Sequence, residues 1–277
     1  MFADKTIYNL NSAAVGDIIA AVPSIKYAVD TFHKTGNYLV AVYPDFRELL
    51  PFIPDDKVIG PQDTFPQDYS IRNLNDMSSR GNVCRLTPSR FKLTHYGSIN
   101  LLGRVLSDLD LQYQPLAKVN VDHFGVDLAK AVVIITTYRD KQRTILAPEL
   151  TKIAEYIYAK GLTPVYVGRT GKISIWKNNP AISDFTYPGF GVDLRDKTTL
   201  TELANIMGQS RAVIGMDSGP IHLAFTTQAP VVVGFTTINP EYRIPYRGLA
   251  PTHAVTPNIL CNFCESDWAL NFWNFQK

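Results

Sequence analysis

Residues 215 to 224, GMDSGPIHLA, hold an acid, a hydroxyl, a glycine and a histidine between two apolar runs. Upstream, RAVIGM reads as a buried strand. Downstream, SGPIHLAFTTQ reads as a helix, so Asp217 and Ser218 fall at the strand's carboxyl end. Ser218 stands where an N-cap would, Gly219 lets a backbone approach a ligand, and Pro220 suits the first helical position. Ligands of open α/β sheets bind at the carboxyl ends of strands, and a helix start there offers N–H groups and partial positive charge to a phosphate. A plainer reading stays open, in which Asp217 and Ser218 cap a helix and His222 is a core histidine. A serine nucleophile fits poorly. Ser218 and His222 are four apart at a helix start, and no G-x-S-x-G elbow is present.

A second concentration of chemistry is basic. Residues 77 to 107 carry Arg80, Arg85, Arg90, Lys92 and Arg104 without an acid, and include His95 and Tyr96. A solvated surface explains this as well as an anionic partner does. Two anionic partners fit the charge: an acidic, phosphorylated glycan, or DNA, with arginines on phosphates and an aromatic stacked on an extruded base. CNFC at 261 to 264, with His253 and Cys84, has zinc-ligand types, but two thiols buried in the aromatic tail DWALNFWNF are the expected arrangement, and no metal is expected. GRTGK at 168 to 172 is not a phosphate loop: Tyr166 stands where the earlier glycine belongs, and Ile173 follows the lysine.

The elements that must position these groups alternate. YLVAVY (38–43) and KVIG (57–60) read as strands, around a helix from Asp17 to about Thr35 that Gly36-Asn37 ends. Pro23 should kink that helix or disturb its first turn. Strand, helix, strand, helix, strand over some sixty residues implies a parallel sheet with right-handed crossovers. Residues 61 to 100 are dense in Pro, Asn, Asp and Ser and read as long irregular structure. A second set begins at AVVIITT (131–137), a run typical of a fully buried parallel strand. It continues through a helix with Pro148 near its start and Gly161 past its end, a strand at 163–168, an amphipathic helix at 199–210, RAVIGM, the helix after it, and a last strand at 230–235. The chain therefore reads as two doubly wound α/β halves. The join lies in the polar stretch 115–130, giving domains 1–122 and 123–277.

Composition agrees with this organisation. The 277 residues are 45% hydrophobic and 19% charged, enough for sizeable cores and unlike a disordered chain. A net charge of +2 excludes a generic polyanion binder. Three cysteines are no disulfide framework and suggest a reducing compartment. The N-terminus lacks the apolar core of a signal peptide, and no run reaches the length of a membrane span, so a cytoplasmic protein is expected.

DLRDKTTLTELANIMGQSRAVIGMDSGPIHLAFTTQAPVVVGFTTINP resembles the C-terminal signature of glycosyltransferase family 9, the lipopolysaccharide heptosyltransferases, with its L-x-x-L-A, D-(S/T)-G-x-x-H-L-A and P-x-V-x-(L/V) elements. SAAVGDIIAAVPSIKYAV resembles the family's N-terminal G-D-(I/V) motif, and TTYRDK (136–141) a T-T-x-x-x-K strand end. The resemblance implies the GT-B fold, two Rossmann-like domains facing across a cleft, with the acceptor on the N-terminal half and the nucleotide sugar on the C-terminal half. It implies an inverting transfer of a heptose or hexose from a nucleotide-diphosphate sugar, without a metal and with no cofactor beyond that co-substrate. No D-x-D motif of a metal-dependent transferase stands at a strand end. Asp17 matches the family's general base and Lys141 its phosphate-contacting lysine. Thr136, Thr137 and Arg139 would join Asp217, Ser218, Gly219 and Pro220 around the donor, with Arg143 as an assistant. Arg80, Arg85, Arg90 and Lys92 would meet an anionic acceptor such as a lipopolysaccharide core, with transient contact to a membrane surface. The sequence departs from the family after TPVYVG, where an acid that touches the ribose is replaced by GRTGK. Three alternatives remain open: a DNA glycosyltransferase, a non-catalytic nucleotide-sugar binder, and a sugar-nucleotide epimerase on the same fold. Retention of Asp17 speaks against a pure binder.

Overall fold

The structure is a computed structural model that describes residues 5–10, 15–34, 36–61, 65–73, 115–138, 143–170, 184–236, 240, 243–245 and 249–258. It contains two compact units, the second beginning at Ala117.

The first unit is a four-stranded parallel sheet. β1 (Thr6–Leu10) is buried at all five positions and leads into helix α1 (Val15–Phe32), which returns the chain to β2 (Tyr38–Val42). β3 (Val58–Ile59) and β4 (Ser70–Asn73) complete the order β3-β2-β1-β4, every pair parallel. Parallel pairing explains the unbroken apolar character of β1 and β2: helices and loops cover both faces of such a sheet. Gly36, at φ 79°, ends the turn after α1 as expected. Pro23 does not delimit the helix. α1 begins at Val15 and runs through Pro23, which removes the N–H that would bond the Ile19 carbonyl.

Two expectations for this unit are corrected. The second helix is a 3-10 segment, Pro44–Leu49, because Pro51 and Pro54 follow at once and the Arg47 guanidinium bonds the Leu50 and Ile53 carbonyls, fixing tight turns instead. The irregular stretch 61–100 contains β4, whose sequence SIRN gives no apolar run because it is an edge strand, with Ile71 exposed. The predicted basic residues of that stretch, together with Cys84, His95, Tyr96 and Arg104, lie outside the described residues.

The second unit is a six-stranded parallel sheet. Its elements are β5 (Ala131–Ile135), α2 (Ala147–Ala159), β6 (Thr163–Val167), β7 (Val192–Asp193), α3 (Leu200–Gln209), β8 (Ala212–Met216), α4 (Gly219–Phe225), β9 (Val231–Gly234) and β10 (Thr252–Val255). The order is β10-β9-β8-β5-β6-β7. Numbered within the unit, that is 3-2-1-4-5-6 from β7 to β10, the doubly wound nucleotide-binding order. α3 is fixed at its start by a capping box, in which the Thr199 hydroxyl accepts from the Glu202 N–H and the Glu202 carboxylate from the Thr199 N–H. Its apolar face buries Leu203, Ala204, Ile206 and Met207. Gly215 permits close contact of β8 with β5, since a Cβ there would stand 2.9 Å from Ile135 Cδ1.

Candidate active site

The topology places both predicted sites at switch points. In the second unit the strand order reverses between β5 and β8, which pair directly from Val132↔Ala212 to Ile134↔Ile214. The carboxyl end of β5 delivers Thr136 and Thr137; the carboxyl end of β8 delivers Asp217 and Ser218. Chains leaving such neighbouring strands on opposite faces open a crevice between them, where ligands of this sheet type bind. Thr136 and Thr137 therefore stand at the carboxyl end of the strand next to the one that carries Asp217, Ser218, Gly219 and Pro220.

The groups at β8 have a definite geometry. Asp217 is 4% exposed, and its backbone N–H donates to the Gly234 carbonyl at 3.0 Å. Arg143 Nη1 lies 3.4 Å from Asp217 Oδ2, and His222 Nε2 lies 3.6 Å from Oδ1. A buried carboxylate needs such neighbours, because desolvation penalises an uncompensated charge. His222 is buried and stands edge-on to Phe225, as a core histidine would. Arg143 follows Lys141 by two residues and is tied to this loop by contact with Asp217, which no sequence spacing shows.

Ser218 corrects the plainer reading. It occupies the N-cap position of α4 with extended backbone, φ −158°, ψ 167°, yet its side chain makes no capping bond. Its Oγ is buried without a hydrogen-bond partner. A buried hydroxyl left unpaired is costly and points to a missing partner. The backbone of α4 offers less to an anion than the sequence suggests. Ile221 and His222 both donate to the Ser218 carbonyl and Pro220 has no N–H, so Gly219 is the helical residue whose N–H is left over.

At β5 the two threonines play unequal parts. Thr136 is buried and donates from Oγ1 to the Val167 carbonyl at 3.1 Å. Thr137 clamps the end of β6: its Oγ1 accepts from the Arg169 N–H at 2.7 Å and donates to the Arg169 carbonyl at 2.8 Å. Gly168, at φ 120°, allows this, because a Cβ there would lie 2.5 Å from Thr137 Oγ1. Arg139 and Lys141 lie outside the described residues.

In the first unit Asp17 is the third residue of α1, half-buried, just after β1. β1 sits between β2 and β4, so Asp17 also follows the strand at which the order reverses. A carboxylate in a first helical turn is stabilised by the helix dipole.

Among the described residues no group of three or more His, Cys, Asp or Glu side chains is arranged to hold a metal. Cys261 and Cys264 lie outside those residues, as does the aromatic tail. No described helix is long and apolar enough to cross a membrane.

A model of glycosyltransferase family 9 (heptosyltransferase) matches residues 174–258, the stretch that carries β7, α3, β8, α4, β9 and β10. The resemblance to family 9 holds. Solved structures extend the likeness to nearly the whole chain. The bacterial iron-containing dodecameric glycosyltransferase TibC from enterotoxigenic E. coli aligns with a TM-score of 0.68 at 15% identity, over 98% of this chain and 70% of that one. The family 9 glycosyl transferase from Veillonella parvula aligns at 0.65 and 12%, over 99% and 93%. The E. coli ADP-heptose lipopolysaccharide heptosyltransferase II aligns at 0.58 and 11%, over 93% and 92%. At these identities the likeness establishes the fold: two parallel-sheet α/β units of the GT-B type. No curated protein sequence matches the chain.

Proposed function

We propose that the chain is an inverting glycosyltransferase that moves a heptose or hexose from a nucleotide-diphosphate sugar to a hydroxyl of an anionic glycan, such as a lipopolysaccharide core. The observation that carries this reading is the group at the β5–β8 switch point: Thr137, Arg143, Asp217 and the unpaired Ser218 hydroxyl, inside a sheet of nucleotide-binding order. The E. coli heptosyltransferase WaaC, solved with ADP, has the same fold at a TM-score of 0.53 and 10% identity, which supports a nucleoside diphosphate as the donor's leaving group.

In this reading residues 1–122 present the acceptor and residues 123–277 hold the donor. Asp17 takes the proton from the acceptor hydroxyl as its oxygen attacks the anomeric carbon. The bond from that carbon to the diphosphate oxygen breaks on the opposite face, so the configuration inverts. The departing nucleoside diphosphate carries the charge, which Lys141, Arg139 and Arg143 stabilise without a metal, while Ser218 Oγ and the Gly219 N–H donate to its oxygens. Arg80, Arg85, Arg90 and Lys92 meet the acceptor's negative groups. The reaction belongs to the cytoplasm, in line with a cysteine count of three, an odd number that suits a reducing compartment.

The test pairs binding with transfer. Nucleoside diphosphates should raise the melting temperature of the purified protein, because they bind the folded state. Asp17→Asn should keep that shift while losing transfer by about 100-fold or more, the usual worth of a general base. Full transfer by Asp17→Asn would remove the base, and absence of any nucleotide shift would remove the donor site.

A further inference from the structure

The end of β6 lacks the acid that nucleotide-binding sheets of this order place there. In such sheets the phosphates lie by the first strand, and a carboxylate at the end of the second strand accepts hydrogen bonds from the ribose hydroxyls. β6 is the second strand here, and it runs into Gly168-Arg169-Thr170. The structure supplies a carboxylate from a different element. Asp196, in the turn after β7, donates its backbone N–H to the Gly168 carbonyl at 3.0 Å. Its Oδ2 accepts from the Thr170 N–H at 2.8 Å and from the Thr170 hydroxyl.

Three features separate this from an ordinary surface turn. Asp196 has φ 59°, and among the described residues no other non-glycine has a positive φ. Left-handed backbone at a non-glycine position is uncommon and marks functional sites, and aspartate is among the residues that tolerate it. Only Oδ2 is used: no described hydrogen bond reaches Oδ1, and the residue is exposed. Finally, the turn is locked to the site already described, since Asp196 holds Gly168 and Thr170 while Thr137 clamps the intervening Arg169 from β5. Hydrogen bonds therefore join the ends of β5, β6 and the β7 turn. Below them, the Asp193 carboxylate receives the Arg195 guanidinium at 2.7 and 2.8 Å and holds the base of the turn.

We infer that Asp196 is the ribose-binding carboxylate of this chain, delivered from the β7 turn in place of the acid missing after β6, so that the donor site selects ribonucleotides over 2′-deoxyribonucleotides. The inference rests on the donor-site reading above. Oδ1 accepts from the 2′-hydroxyl while Oδ2 remains held by Thr170.

The test measures affinities of the full chain for ADP, GDP, UDP and CDP and for their 2′-deoxy counterparts by calorimetry. The diphosphate bound best should be favoured over its 2′-deoxy form by roughly 10-fold or more, the worth of a hydrogen bond to a charged acceptor. Asp196→Asn, checked for an unchanged melting temperature, should bring the two forms within about twofold. Equal wild-type affinities for the two forms would overturn the inference whatever the variant does. A preference that survives in Asp196→Asn would overturn the role of Asp196 and leave the donor site standing. Failure of every nucleotide to bind would overturn the donor site, and Asp196 with it.

Discussion

Replacing Gly168 with alanine tests the clamp at the end of β6 most directly. The added Cβ would meet Thr137 Oγ1 at 2.5 Å, Thr137 Cβ at 3.0 Å and the Thr137 N at 3.3 Å, on a backbone already at φ 120°. Rotation of the threonine relieves the first contact but breaks both Oγ1 bonds to Arg169. The left-handed backbone costs about 1–2 kcal/mol for an L side chain, and two partly exposed hydrogen bonds add about 1–2 kcal/mol. Gly168→Ala should therefore destabilise the second unit by roughly 2–4 kcal/mol in urea unfolding. Thr137→Ala alone should cost about 1–2 kcal/mol by loss of the same two bonds. Because one hydroxyl is counted in both, the double variant should unfold like Gly168→Ala alone, a coupling of about 1–2 kcal/mol against additivity. Additive losses, or a Gly168→Ala variant within about 0.5 kcal/mol of the parent, would refute the argument that Gly168 exists to seat Thr137.

Two further outcomes are expected. Ser218→Ala removes a buried, unpaired hydroxyl, so it should leave stability unchanged or raise it by up to about 1 kcal/mol while weakening nucleoside diphosphate binding several-fold; a loss of stability would show that Ser218 Oγ already has a partner. His33 is buried with Nε2 2.8 Å from the Tyr8 hydroxyl, and burial holds it below the ordinary histidine range. The unfolded chain then binds the proton first, so the contribution of His33 is complete above about pH 6.5 and is lost as pH falls through its lowered value. Urea unfolding at pH 7.5 and 5.5 should show a drop in stability that shrinks in His33→Gln, and equal drops in both proteins would exclude His33 as the cause.

What the sequence disclosed follows from how each element is buried. β5, β6, β8 and β9 stand out because both faces of a parallel strand are covered, which selects unbroken apolar runs such as AVVII. β4, β7 and β10 lie at sheet edges or span two to four residues, and their polar letters carry no such pattern. The site divides in the same way. Asp217, Ser218 and Gly219 are local, a strand end running into a helix start, and spacing reveals them. Asp196 reaches β6 through pairing of β7 with β6, and Arg143 reaches Asp217 from 74 residues away, so neither is visible in any short window. No acid follows β6 in its own segment; a tertiary contact puts Asp196 beside it. Ser218 takes the N-cap position without the N-cap bond, since extended backbone does not by itself aim the hydroxyl at the helix.

The strand order also sets when the second unit can be finished. β5 acquires β6 on one flank after a single helix. Its other flank stays open until Ala212–Ile214 has been synthesised. Through that interval a nascent chain displays an unpaired edge of Val132, Val133 and Ile134, the kind of edge on which chains associate with one another. The crevice lies along this late-closed seam, so its two walls come from the first and the fourth of the unit's six strands to leave the ribosome. A nucleotide held there would act as a staple across that seam, protecting amides of β5 and β8 from hydrogen exchange together.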